Sequence, residues 1–142
     1  MAARDFPEPV TRTLAQAGQR LSGLLTPSLR LGVTGLARSG KTVFITALIR
    51  NLTEGGRLPF FGPVAEGRLV SAHLEPQPDD HIPRFDYEAH VRALSADPPE
   101  WPESTKRISE VRIALTFEPA HPIRRALGLS RLNLDIIDYP GE

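Results

Sequence analysis

Gly35-Leu36-Ala37-Arg38-Ser39-Gly40-Lys41-Thr42 satisfies the pattern G-x-x-x-x-G-K-[ST] in full, and each fixed position has a physical reason. Glycine allows positive φ and lets backbone approach a ligand without a Cβ in the way. The loop's N–H groups then converge on an anion at the start of a helix, where the helix dipole adds positive potential. Lys41 supplies a mobile charge between β- and γ-phosphates, and the Thr42 hydroxyl is a ligand for Mg²⁺. Average residue usage makes such a match a chance event in about one in 200 chains of this length. A fold that uses the motif must deliver it from a strand and follow it with a helix.

Both flanks meet that demand. Residues 29–34 read as a short strand ending at Gly35. From Lys41 the pattern turns helical, with Val43, Phe44, Ala47, Leu48 and Leu52 recurring at spacings of 1, 3, 1 and 4 and Gly55-Gly56 as the stop. Upstream, Val10, Leu14, Ala17, Leu21 and Leu24 alternate in spacing between four and three, which predicts an amphipathic helix over 10–25 ended by Thr26-Pro27. Its plainest role is to pack on the domain that follows. We therefore expect two regions, an N-terminal helix in 1–27 and an α/β domain in 28–142.

Further along, 58–75 reads as an extended hairpin whose best strand is 68–74, and 76–83 as loop. A brief helix is expected over 87–94, capped by Asp86, before an irregular proline-rich stretch at 97–102. Trp101, set among those prolines, reads as a packing anchor rather than a base-stacking platform. Val111, Ile113, Leu115 and Phe117 alternate with Arg112, Ala114 and Thr116 as a half-buried strand, and 132–137 is its partner after a loop holding His121-Pro122 and Gly128.

That last strand carries a second motif. It delivers Asp138, followed by Tyr139-Pro140-Gly141, in the D-x-x-G form of a metal-holding element. There the carboxylate holds Mg²⁺ through water and the Gly141 N–H senses the γ-phosphate. Alone, such a tetrapeptide is commonly only a turn; after an apolar strand and a phosphate loop it gains meaning. Glu142 stands next, where it orients the attacking water or acts as base, or else is a solvent-exposed switch residue. A threonine is also expected to reach the metal from the segment before the strand at 109. Ser104, Thr105 and Ser109 are the candidates, and Thr105 is the choice among them. Within the loop, Gly35, Arg38, Ser39, Gly40, Lys41, Thr42 and Val43 are the nucleotide contacts. Arg38 is either a cis charge on the phosphates or a side chain in solvent.

Composition closes other routes. Seventeen basic residues balance 17 acidic ones, so charge supplies no case for nucleic acid or an anionic membrane as partner. The absence of cysteine excludes disulfides, thiolate metal sites and a thiol nucleophile. The four histidines lack metal-ligand spacing. No signal peptide or run of about 20 apolar residues is present, and a cytoplasmic protein is expected. Fourteen prolines, about twice average usage, foretell long irregular connections. Because the sequence stops at Glu142, beside the second motif, a chain truncated at its C-terminus is expected.

Residues 32–46 around the loop, Leu58-Pro59-Phe60-Phe61, the stretch 96–105 and 135–142 together resemble the YcjX-like family of bacterial P-loop proteins. The similarity runs from residue 29 to the end. It implies a P-loop NTPase with a Ras-like (TRAFAC-type) sheet and a helical insertion, to which the reading of the residues adds the N-terminal helix and an inserted hairpin. It also implies GTP and GDP as ligands, Mg²⁺ as cofactor, hydrolysis linked to bacterial stress responses, and a longer chain. Gly35, Gly40, Lys41, Thr42 and Asp138 carry over from the family's nucleotide motifs; a guanine-reading motif would lie beyond Glu142. The alternatives are an ATPase or kinase, or a nucleotide-regulated switch that meets a protein effector or activator and whose turnover is incidental.

Overall fold

The computed structural model describes residues 26–142, so the helix expected over 10–25 lies outside the described residues. In chain order the elements are β1 (Ser28–Val33), α1 (Lys41–Thr53), α2 (Gly62–Ala65), β2 (Leu69–Glu75), α3 (Tyr87–Leu94), β3 (Ser109–Phe117), α4 (Pro122–Ala126) and β4 (Arg131–Asp138). The strands form one mixed sheet in the order β1-β4-β3-β2. β1 runs parallel to β4, which places Val33 opposite Asp138. β3 is antiparallel to both of its neighbours.

Period-2 alternation sorts the two sheet faces. Val111, Ile113 and Leu115 of β3 share one face with Leu134 and Ile136 of β4, and Ile45, Ile49 and Leu52 of α1 join them in the core. Burying such side chains stabilises by about 1.5–3 kcal/mol each, so this face clamps α1, and with it the glycine loop, onto the sheet. On the opposite face Arg112 donates two hydrogen bonds to Asp135, at 2.6 and 2.8 Å. Asp135 is buried, and the paired carboxylate in turn raises the Arg112 pKa. Glu110 is fully buried on the same face. Arg30 lies 3.6 Å from it, and neither Glu110 oxygen has a hydrogen-bond partner among the described residues.

Asp86 caps α3, its carboxylate accepting from Ala89 N at 3.2 Å. Two expectations need correction. The extended hairpin over 58–75 does not form. Its first arm contains the turn of helix α2, with Pro63 pre-set at the helix start, while Phe61 and Val64 pack on the core. Only Leu69–Glu75 is strand, and its partner is the distant β3 rather than a neighbouring arm. The loop between β3 and β4 likewise contains a helical turn, α4, again with proline in its first turn. Local apolar content could not reveal these pairings, because a strand's partner is set by the sheet.

Candidate functional site

β1 and β4 end side by side, and each hands the chain to a polar loop at its carboxyl end. In α/β sheets that is where ligands are held. After β1 the chain enters the glycine loop. Gly40 has φ 91°, in the left-handed region, and immediately precedes α1. No side chain caps α1 and no acidic residue occupies its first turn. The start of α1 thus carries no side-chain partner of its own. Arg38 also takes a left-handed conformation, φ 61°, which costs a non-glycine residue about 1–3 kcal/mol.

Lys41 is only 8% exposed. Its ammonium donates to the carbonyls of Gly35 (3.0 Å) and Leu36 (2.8 Å), which holds the charge over the loop. Beside it, three oxygen-bearing side chains from three elements meet. The Thr105 hydroxyl donates to Asp138 Oδ2 at 3.0 Å, the Thr42 hydroxyl lies 3.5 Å from the same oxygen, and the two hydroxyls are 3.1 Å apart. Asp138 is 2% exposed, and its Oδ1 has no hydrogen-bond partner among the described residues. Burial pushes its carboxyl pKa up, against the opposing pull of the Thr105 hydrogen bond and the Lys41 charge.

The second loop lies against the first. The Glu142 carbonyl accepts from Ala37 N at 3.1 Å. Gly141 sits so close that a Cβ there would stand 2.6 Å from the Ala37 backbone and 2.9 Å from Lys41 Nζ. Only glycine fits that approach. The Glu142 residue itself is exposed.

A narrow cleft of about 20 Å³ separates residues 38–43 from residues 101–105. Arg38, Ser39, Gly40, Lys41, Thr42, Val43 and Thr105 all border it, while Gly141 and Glu142 border a neighbouring hollow with Gly32 and Thr34. Of the three switch candidates, Thr105 reaches Asp138. Ser104 lines the cleft, and Ser109 is the strand partner of Asp138.

One reading from sequence fails here: Trp101 is no packing anchor. It is 65% exposed and borders the same cleft. Pro98, Pro99 and Pro102 flank it in a stretch without helix or strand. A lone tryptophan four residues before the chosen threonine was the available signal.

Among the described residues no group of three His, Cys, Asp or Glu side chains is placed to hold a metal ion; the cluster beside Lys41 is one carboxylate and two hydroxyls. No helix among them is long and apolar enough to cross a membrane.

Fold and site together define a mixed α/β domain whose parallel strands present a glycine-loop helix start and an oxygen cluster at one edge. The chain belongs to the YcjX-like family (DUF463), whose model matches residues 29–142. It is 48% identical over 118 residues to the Ras-like GTPase YcjX of Escherichia coli K12, an overlap covering 80% of this chain and 25% of that protein. To the Ras-like GTPase YcjX of Shewanella oneidensis it is 41% identical over 126 residues, covering 80% of this chain and 26% of that protein. The chain thus spans about a quarter of the length of the curated relatives it matches.

Proposed function

We propose that the chain carries the phosphate- and metal-binding portion of a P-loop, Ras-like domain that binds and hydrolyses GTP, in a bacterial protein associated with stress. The observation that carries this reading is the meeting of Thr42, Thr105 and Asp138 beside Lys41. The names of the relatives, both Ras-like GTPases, support guanine as the base.

The residues fit a magnesium nucleotide. Hard cations take oxygen ligands, and the cluster offers only oxygens, including the buried, unpartnered Oδ1 of Asp138. In this reading Thr42, Thr105 and Asp138 hold Mg²⁺, the last through water. When bound, the ion neutralises charge on the β- and γ-phosphate oxygens. The uncapped start of α1 receives the phosphates, and Lys41 leaves the loop carbonyls to neutralise β- and γ-oxygens. The Gly141 N–H would serve the terminal phosphate, and Glu142 would orient the attacking water. Arg38, Ser39 and Val43 complete the nucleotide wall from the loop side.

The Glu142–Ala37 contact favours a second reading, a switch. A γ-phosphate competing for the loop would displace residues 141–142, so binding itself changes a surface that an effector can read.

Calorimetric titration of the full-length protein, at the length of its relatives, with GTP, GDP, ATP and ADP in Mg²⁺ tests the proposal, with Lys41→Ala as control. We expect guanine-selective binding that Lys41→Ala abolishes. Adenine selectivity would move the reading to an ATPase or kinase, and micromolar binding retained by the variant would remove the loop from the account.

A further inference from the structure

The chain's single tryptophan is placed in water when its apolar rings favour burial. An indole can bury about 150–250 Å², yet Trp101 stays 65% exposed. Its segment is held at both ends. Glu100 N donates to Ala93 O at the end of α3 (2.9 Å), and Thr105 is bonded to Asp138. Between these anchors Pro102 fixes its own φ and restricts Trp101, so holding the ring there costs little entropy. Four residues reach at most about 14 Å, which ties the indole to the neighbourhood of the Thr42–Thr105–Asp138 cluster.

The ring's surroundings are cationic. Arg38, from the loop, and Lys106, just past Thr105, border a hollow with Trp101, and Glu103 is the acidic residue facing them there. That hollow shares Arg38, Trp101, Pro102, Glu103 and Ser104 with the cleft over the glycine loop, so Glu103 borders both. A ligand complementary to both compartments has an anionic end for the loop and cluster and a flat π face for the indole.

We infer that Trp101 is the stacking platform for the nucleoside end of the bound nucleotide, with Arg38 neutralising charge beside it. This rests on the nucleotide reading above and adds a base-contacting residue to it. Stacking on an aromatic face tolerates any base, so Trp101 contributes affinity while guanine preference is set elsewhere.

The test compares Mg²⁺–GTP with Mg²⁺–tripolyphosphate, which has the phosphates without the nucleoside, in the wild type, Trp101→Phe and Trp101→Ala. Binding is measured by calorimetry, and the Trp101 emission is the fluorescence that Trp101→Phe lacks. We expect GTP but not tripolyphosphate to quench that emission. Trp101→Ala should weaken GTP about tenfold, leave tripolyphosphate unchanged, and be largely rescued by phenylalanine. GTP affinity within twofold of wild type in Trp101→Ala would overturn the inference and leave the exposed ring to a protein partner. Equal losses for both ligands would also overturn it, since the effect would then run through the loop. Failure of wild type to bind either ligand would instead sink the nucleotide reading itself.

Discussion

Asp138 brings a negative charge to a place that opposes it. At 2% exposure, with Oδ1 unpartnered among the described residues, its ionised form is held by two hydroxyls and the nearby Lys41. A carboxyl whose folded pKa lies above its unfolded value contributes stability in acid and loses it as pH rises through the folded value. Asp138→Asn should therefore gain about 1 kcal/mol near neutral pH, the lower end of the cost of an unsatisfied buried group. The gain should vanish below the ordinary aspartate pKa of about 3.9, where both proteins are neutral at this position. Urea unfolding at pH 7 and pH 3 measures both values. Affinity for Mg²⁺–GTP should fall in the same variant. If Asp138 holds the metal as proposed, function and stability oppose each other at this residue. If the asparagine variant is less stable at pH 7, Asp138 is a structural residue.

At the scale of elements, the sheet depends on a pair that sequence patterning describes only as polar alternation. Arg112 and Asp135 lie opposite each other on β3 and β4, and Asp135 is 1% exposed. Removing the guanidinium would strand a buried carboxylate, a loss of about 3–5 kcal/mol for a broken buried pair. Arg112→Ala should approach that loss in chemical denaturation, and a joint Arg112→Met, Asp135→Leu replacement should recover most of it. A loss below about 1 kcal/mol in the single variant would mean that water reaches Asp135. The consequence extends to the site, because β4 ends on Asp138 and its register sets where that carboxylate stands.

Across the whole molecule, rigid and loosely held parts are segregated. β3, β4 and α1 share the core, while residues 97–107 and 139–142 lie outside the helices and strands. Such segments open at low free-energy cost, and a ligand gripping both should suppress that opening by mass action. Hydrogen exchange with Mg²⁺–GTP should therefore slow by about tenfold or more in these two stretches and change little in the core strands. Uniform slowing across the sheet would instead indicate general stabilisation without site closure.

What lay in the sequence was local. The positive φ at Gly40 and the β3 alternation are short-range, and α1 was legible as a helix, but its buried face is Ile45, Ile49 and Leu52 rather than the expected set that includes the exposed Phe44 and Ala47. The cap at Asp86 was legible because capping is settled within four residues. Thr105 was no more than a preference among three hydroxyls. The failures were those of long range: β2 found its partner across the sheet, and Trp101 was turned outward by what surrounds its prolines. Only tertiary structure could decide these, since strand pairing, burial and the meeting of Thr42, Thr105 and Asp138 depend on side chains far apart in the chain and close only in the folded molecule.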